Sequence, residues 1–203
     1  MKIGIVLRGI TTGNSPTQKK DWRLTKDNIK ETLIGSFHNP MVFFTTYENE
    51  VLPEVIDFYK PVDVKLVDYN KSDQRKTLLE SLKQVIDKDL DFIIISRFDI
   101  EYKQKVCDMN FHFNKFNFIF RETEPYWTKN RYVSDTFFAF PKRFLSSFIE
   151  VIEQEIKTPE RPYGDMHGTY KRIEPLIGNE NIHFIFDGTH RSDKNNFFEI
   201  KRI

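Results

Sequence analysis

Apolar and polar positions alternate along the first half of the chain with two different periods. Lys2-Ile3-Gly4-Ile5-Val6-Leu7 is a short β-branched run that ends at Arg8-Gly9 and enters a Gly/Ser/Thr/Pro-rich stretch through Thr17, the pattern of a strand and a long loop. From Thr25 onward Ile29, Leu33, Ile34 and Phe37 fall at helical spacing, with Thr25 as a cap and His38-Asn39-Pro40 as the stop. Met41 to Tyr47 reads as a strand, Leu52 to Tyr59 as a short helix and Val62 to Val67 as a further strand. After the Tyr69-Asn70-Lys71-Ser72 turn, Ser72 can cap a helix that carries Leu78, Leu79, Leu82, Val85 and Ile86 on one face. Asp91 to Ser96 is apolar on both faces, as a central strand covered by helices must be.

Strand and helix therefore alternate, which favours a parallel sheet because each crossover needs a helix to return the chain. The second half is less regular. Asn117 to Phe120 and Thr136 to Phe140 are expected as strands, and Pro141 opens a helix with Phe144, Leu145, Phe148, Ile149, Ile152 and Ile156 inward. Gly164 to Ile177 reads as a weaker helix, Ile182 to Phe186 as a last strand, and Asp187 to Ile203 as a polar tail with one apolar patch at Phe197-Phe198. The expected architecture is one α/β domain over residues 1–203 with a mixed, mainly parallel sheet, its first half about 1–101 and its second about 102–203.

Composition changes this picture in two ways. The 20 Phe predict a core rich in aromatic rings, and 31 basic residues against 30 acidic ones leave no global field for a nucleic-acid backbone or an anionic membrane. A lone Cys107, an opening run too short for a signal peptide and no apolar stretch of the ~20 residues that cross a bilayer lead to the expectation of a cytoplasmic protein. It can equally be part of a longer multidomain protein.

Ligands of open α/β sheets bind beyond the carboxyl ends of the strands. That rule selects Arg8-Gly9, Tyr69-Asn70-Lys71-Ser72, and Arg97, Asp99 and Glu101. Guanidinium groups, a capped helix start and carboxylates along one edge suit a diphosphate with a divalent cation, because hard cations take carboxylate and phosphate oxygens together. Gly9 to Gly13 has neither the dinucleotide nor the P-loop spacing, and neither a zinc pattern nor a nucleophile elbow is present. Trp127, in a polar segment, can stack on a sugar ring.

The run Ile93-Ile94-Ile95-Ser96 followed by Arg97-Phe98-Asp99 resembles the D-x-D position of GT-A-fold glycosyltransferases, with Arg in place of the first Asp. Tyr132 to Lys142, containing Ser134-Asp135-Thr136, resembles their acceptor-side strand, and the whole chain is similar to glycosyltransferase domains encoded by large algal viruses of the chlorella-virus kind. The resemblance implies a nucleoside-diphosphate sugar donor, UDP-sugar favoured, a glycan acceptor, and Mn2+ or Mg2+ held by Asp99 with His190 as a further ligand and His167 as the other candidate. It places Arg8, Gly9, Tyr69, Arg75 and Arg97 at the donor, Asp135 and Asp165 as bases for an acceptor hydroxyl, and Trp127 at the acceptor. Two alternatives stay open: a nucleotidyl or phosphoryl transferase, and a non-catalytic nucleotide-sugar or carbohydrate-binding module.

Overall fold

The computed structural model describes residues 1–15, 18–159 and 166–201. Its main sheet has seven strands, β1 (Ile3–Gly9), β2 (Met41–Tyr47), β3 (Asp63–Val67), β4 (Phe92–Arg97), β5 (Phe116–Phe118), β6 (Phe138–Pro141) and β7 (Ile182–Phe184), in the order β7-β5-β6-β4-β1-β2-β3. The first four strands run parallel, β6 is antiparallel to both β4 and β5, and β7 is parallel to β5. This is the mixed, mainly parallel α/β sheet expected from the alternating periods.

Helices cover both faces. On one, Val6, Phe43, Ile93, Ile95, Phe138 and Phe140 pack against α2 (Gln74–Gln84), α3 (Leu145–Lys157) and α4 (Thr169–Ile177) through Leu78, Leu82, Phe148, Ile152 and Ile173. On the other, Ile5, Leu7, Phe44, Ile94 and Ala139 meet Trp22, Ile29 and Leu33 and the Val55 and Tyr59 side chains of α1 (Leu52–Tyr59). The Phe-rich core takes specific shape: Phe116 stacks on Phe140 at 5.0 Å and meets Phe148 edge-on at 5.0 Å. Each fully buried Phe stabilises the fold by about 1.5–3 kcal/mol.

Several boundaries differ from expectation for local reasons. Asp73, not Ser72, caps α2, because its carboxylate accepts from the Lys76 amide at 3.0 Å. That helix ends at Gln84, which leaves Ile86 exposed. The helical stretch after Thr25 is built of short turns (Lys26–Asn28, Ile29–Leu33, Ile34–Ser36), the middle one a π-helix. The tail is not merely polar. Phe198–Ile200 pairs antiparallel with Ile100–Tyr102, Thr189–His190 pairs parallel with Arg121–Glu122, and Phe198 is buried against Phe120. Among the described residues no helix is long and apolar enough to cross a membrane.

Candidate functional site

The chain runs outward from β1 through β2 to β3 and then returns to lay β4 on the opposite side of β1. The crevice beyond the carboxyl ends of β1 and β4 is therefore the topological switch point, where open α/β sheets bind ligands. Arg8 and Arg97 stand opposite each other there in register. Because β6 runs antiparallel, the segment Ser134 to Phe137 that precedes it arrives at the same edge, and β5 delivers Arg121 and Glu122 to it as well.

Arg8 is 2% exposed. Its Nη2 donates to the Asp135 main-chain carbonyl at 3.1 Å and its Nη1 to the Gln74 carbonyl at 3.4 Å, while Nε has no partner among the described residues. Burial pulls its pKa down to about 10; Arg97 adds to that pull and Asp135 opposes it. Arg97 is differently placed. Its Nε and Nη2 donate to the two carboxylate oxygens of Asp99 at 2.8 and 2.6 Å, so that burial, which would lower its pKa, is outweighed by Asp99 and the pKa rises. The Asp135 carboxylate is also buried. Burial alone would raise its pKa, but His167, Arg97 and Arg8 hold it below the usual carboxylate range, helped by the Met166 amide 3.4 Å from Oδ2.

A cleft of about 130 Å³ opens beside these groups, lined by Arg8, Gly9, Tyr47, Gln74, Thr77 and Arg97. Gly9 turns the chain out of β1 at φ +102°, a conformation other residues rarely adopt, and the space where a Cβ would stand is open. The Tyr47 hydroxyl lies 2.8 Å from that of Thr77.

The remaining expected site residues fall elsewhere. Tyr69 is outside the lining, half exposed, with its ring edge-on to Tyr47 at 5.2 Å. Arg75 turns back on Asp73 with contacts of 3.2 and 2.8 Å. His190 is held by the Asp187 carbonyl at 2.8 Å, with its ring against Phe120 and Phe197 at 5.3 and 4.8 Å. Trp127 sits on a short helix, Tyr126–Asn130, not in a loop; it packs on Tyr170 and Phe184 at 5.1 and 5.5 Å beneath the guanidinium groups of Arg121 and Arg131. Asp165 lies outside the described residues. Asp99, expected to hold a divalent cation, is 5% exposed and bonded through both oxygens to Arg97. Among the described residues no group of three or more His, Cys, Asp and Glu is placed to hold a metal ion.

One residue that the sequence reading passed over belongs to this edge. Glu122 is nearly buried, accepts a hydrogen bond from the Ser192 hydroxyl and has the His167 Nδ1 3.7 Å from its Oε1. Burial raises its pKa; Asp135 adds to the rise, while Ser192 and His167 oppose it. Its position four residues past the end of β5 obeys the same carboxyl-edge rule that selected Arg8 and Arg97.

No protein-family model matches the chain, and no curated protein does. Solved structures share its fold: 262 chains match, a breadth that by itself selects no chemistry. One of them, a nucleotidyl transferase from Methanothermobacter thermautotrophicus, aligns over 91% of this chain and 86% of its own with a TM-score of 0.56 and 10% identity. At that identity the likeness is one of fold. Neither the glycosyltransferase family nor the viral kinship expected from the Arg97-Phe98-Asp99 and Asp135 segments is matched by a family model or a curated protein.

Proposed function

We propose that this chain is a nucleotide-dependent transferase that holds the diphosphate of a nucleoside-diphosphate sugar, UDP-sugar favoured, at the switch-point cleft and passes the sugar to a glycan acceptor. The observation that carries this is Arg8, a buried guanidinium in the wall of a cleft, whose hydrogen-bond partners among the described residues are carbonyl oxygens and whose Nε has none among them. A buried charge in that condition is costly unless an anion completes it. A diphosphate would do so through short charge-assisted bonds. At about 130 Å³ the cleft is small against the ~300–1,000 Å³ of whole-ligand pockets, so it suits the phosphates, with the nucleoside further out on the Tyr69 side.

In sugar transfer the acceptor oxygen attacks the anomeric carbon, the bond from that carbon to the phosphate oxygen breaks, and its electron pair leaves on the diphosphate. Arg8 offsets the charge that develops there, and Arg97 adds its field from across the crevice. Asp135 helps to hold Arg8 in place through its main-chain oxygen, and its carboxylate is close enough for both arginines to lower its pKa.

The resemblance implied a divalent cation on Asp99. Both Asp99 oxygens already accept from Arg97, and no trio of ligand-type side chains gathers among the described residues, so this donor set does not fit a preformed cation site. No step here runs through a cation. UDP affinity should then change by less than about twofold when EDTA replaces manganese; a tenfold gain with manganese would return the ion to Asp99.

Calorimetry tests the donor site directly. Arg8→Ala should lower UDP affinity roughly tenfold or more, since a charged hydrogen bond contributes about 1.5–3 kcal/mol. Unchanged affinity would remove Arg8 from the site. Nucleotidyl transfer is a second reading, favoured by the structural neighbour's activity. Products separate the two: sugar transfer releases a nucleoside diphosphate, nucleotidyl transfer pyrophosphate.

A further inference from the structure

A second cleft lies around Glu122, beyond the carboxyl end of β5. It measures about 540 Å³ and is lined by Glu122, Glu124, Tyr126, His167, Arg191 and Asp193. We infer that this cleft is the acceptor site of the transferase proposed above, and that it takes an uncharged or amino-bearing saccharide and rejects a phosphorylated one.

Its size falls in the range of small-molecule sites, enough for a saccharide of one or two rings. Charge sets the class. Arg191 is matched by Asp193 in a two-pronged contact at 2.9 and 2.7 Å, and the wall carries two further carboxylates, Glu122 and Glu124, with the His167 imidazole 3.7 Å from the first of them. A phosphate group entering there would meet carboxylates, and like charges at close range oppose binding. The rings of Tyr126 and Tyr132 lie nearly parallel at 6.4 Å, with Tyr126 half exposed, and offer a flat apolar surface of the kind that the faces of sugar rings cover.

Position links this cleft to the phosphate site. The Ser192 hydroxyl, which donates to Glu122, lies 2.9 Å from the Ser134 hydroxyl, and that in turn is 2.9 Å from the Thr136 hydroxyl. Ser134 and Thr136 flank Asp135, whose carbonyl receives Arg8. One short loop thus ties a residue of the phosphate cleft, Arg8, to a residue of the acceptor cleft, Ser192. Glu122, the buried carboxylate of the acceptor side, is placed to bind the attacking hydroxyl and to receive its proton as the new glycosidic bond forms. Its raised pKa, set by burial with His167, Asp135, Arg191 and Ser192 around it, makes it a better proton acceptor than an ordinary surface carboxylate.

Ligand-observed NMR on the whole chain tests this with four probes: methyl glucoside, maltose, glucosamine and glucose 6-phosphate, each with and without saturating UDP. The first three should give saturation-transfer signals that Glu122→Gln and Tyr126→Ala remove, glucose 6-phosphate should give none, and UDP affinity should stay within about twofold in both variants. Glucose 6-phosphate binding as well as methyl glucoside, signals unchanged in both variants, or no signal from any probe would overturn the assignment. Saccharide binding without UDP binding would sink the donor reading and leave the acceptor cleft standing; UDP binding without saccharide binding would do the reverse.

Discussion

Arg8→Met keeps the side chain's length and removes its charge, so it separates what Arg8 does for the fold from what it does for a ligand. The fall of the Arg8 pKa from its ordinary value to about 10 corresponds to about 3 kcal/mol of cost for holding the charged form in the fold. Arg8 is a base whose pKa is lowered by folding, so this cost is present in full at neutral pH and disappears only above its unfolded value. Methionine removes that cost but strips the Asp135 and Gln74 carbonyls of a donor, about 0.5–1.5 kcal/mol each. The net gain for the ligand-free protein is then between zero and about 2 kcal/mol, a rise in Tm of up to roughly 8 °C for a chain of this size. The same substitution should shrink the Tm increase given by saturating UDP, because the ligand loses a charged contact. Thermal unfolding of both proteins with and without UDP reads both effects. An Arg8→Met protein that melts below the parent and is stabilised by UDP to the same extent would show that Arg8 serves the fold and not an anion.

The buried Arg97–Asp99 pair carries the opposite expectation: Asp99→Asn should cost about 3 kcal/mol, or roughly 6–12 °C, and pairing Arg97→Met with Asp99→Leu should recover most of it; a single variant that melts with the parent would mean the pair contributes nothing. Glu122 is an acid whose pKa folding raises, so its cost to stability grows as pH climbs from the ordinary carboxylate value through the folded one. Chemical denaturation across pH should therefore show Glu122→Gln close to the parent near pH 4 and increasingly more stable above it, and a flat difference would place Glu122 in solvent. Trp127→Ala should lower stability by about 2–3 kcal/mol through lost packing on Tyr170 and Phe184 while saccharide signals persist; lost signals at unchanged stability would return the ring to the acceptor.

Much of the sheet was readable because its strands are apolar on both faces and its helices on one. The carboxyl-edge rule likewise found Arg8 and Arg97, since it needs only strand ends. What the pattern could not convey is where a side chain turns once folded. Arg97 and Asp99, two residues apart, read as charges at the mouth of the sheet, yet they close on each other. Glu122 went unnoticed because the edge it reaches depends on the direction of β5, fixed by pairing with β6 and β7 and not by its own residues. Phe198-Glu199-Ile200 is too short for a period to show, so its pairing with Ile100–Tyr102 stayed hidden. The polar neighbours of Trp127 concealed a ring that packs on Tyr170, 43 positions further along the chain.

The central place of β1 also bears on how the chain is made. Gly4 lies opposite Met41 on one edge and Ile3 opposite Phe92 on the other. Once made, β1 must therefore wait for one neighbour until about 90 further residues have been translated. During that interval Ile5, Val6 and Leu7 sit on an open strand edge, the kind that recruits other chains. Closing so long a loop before the pairing rewards it also slows folding toward the millisecond-to-second range of non-local sheets. Synthesis slowed by low temperature, or chaperones that shield the nascent segment, should accordingly raise the yield of folded protein.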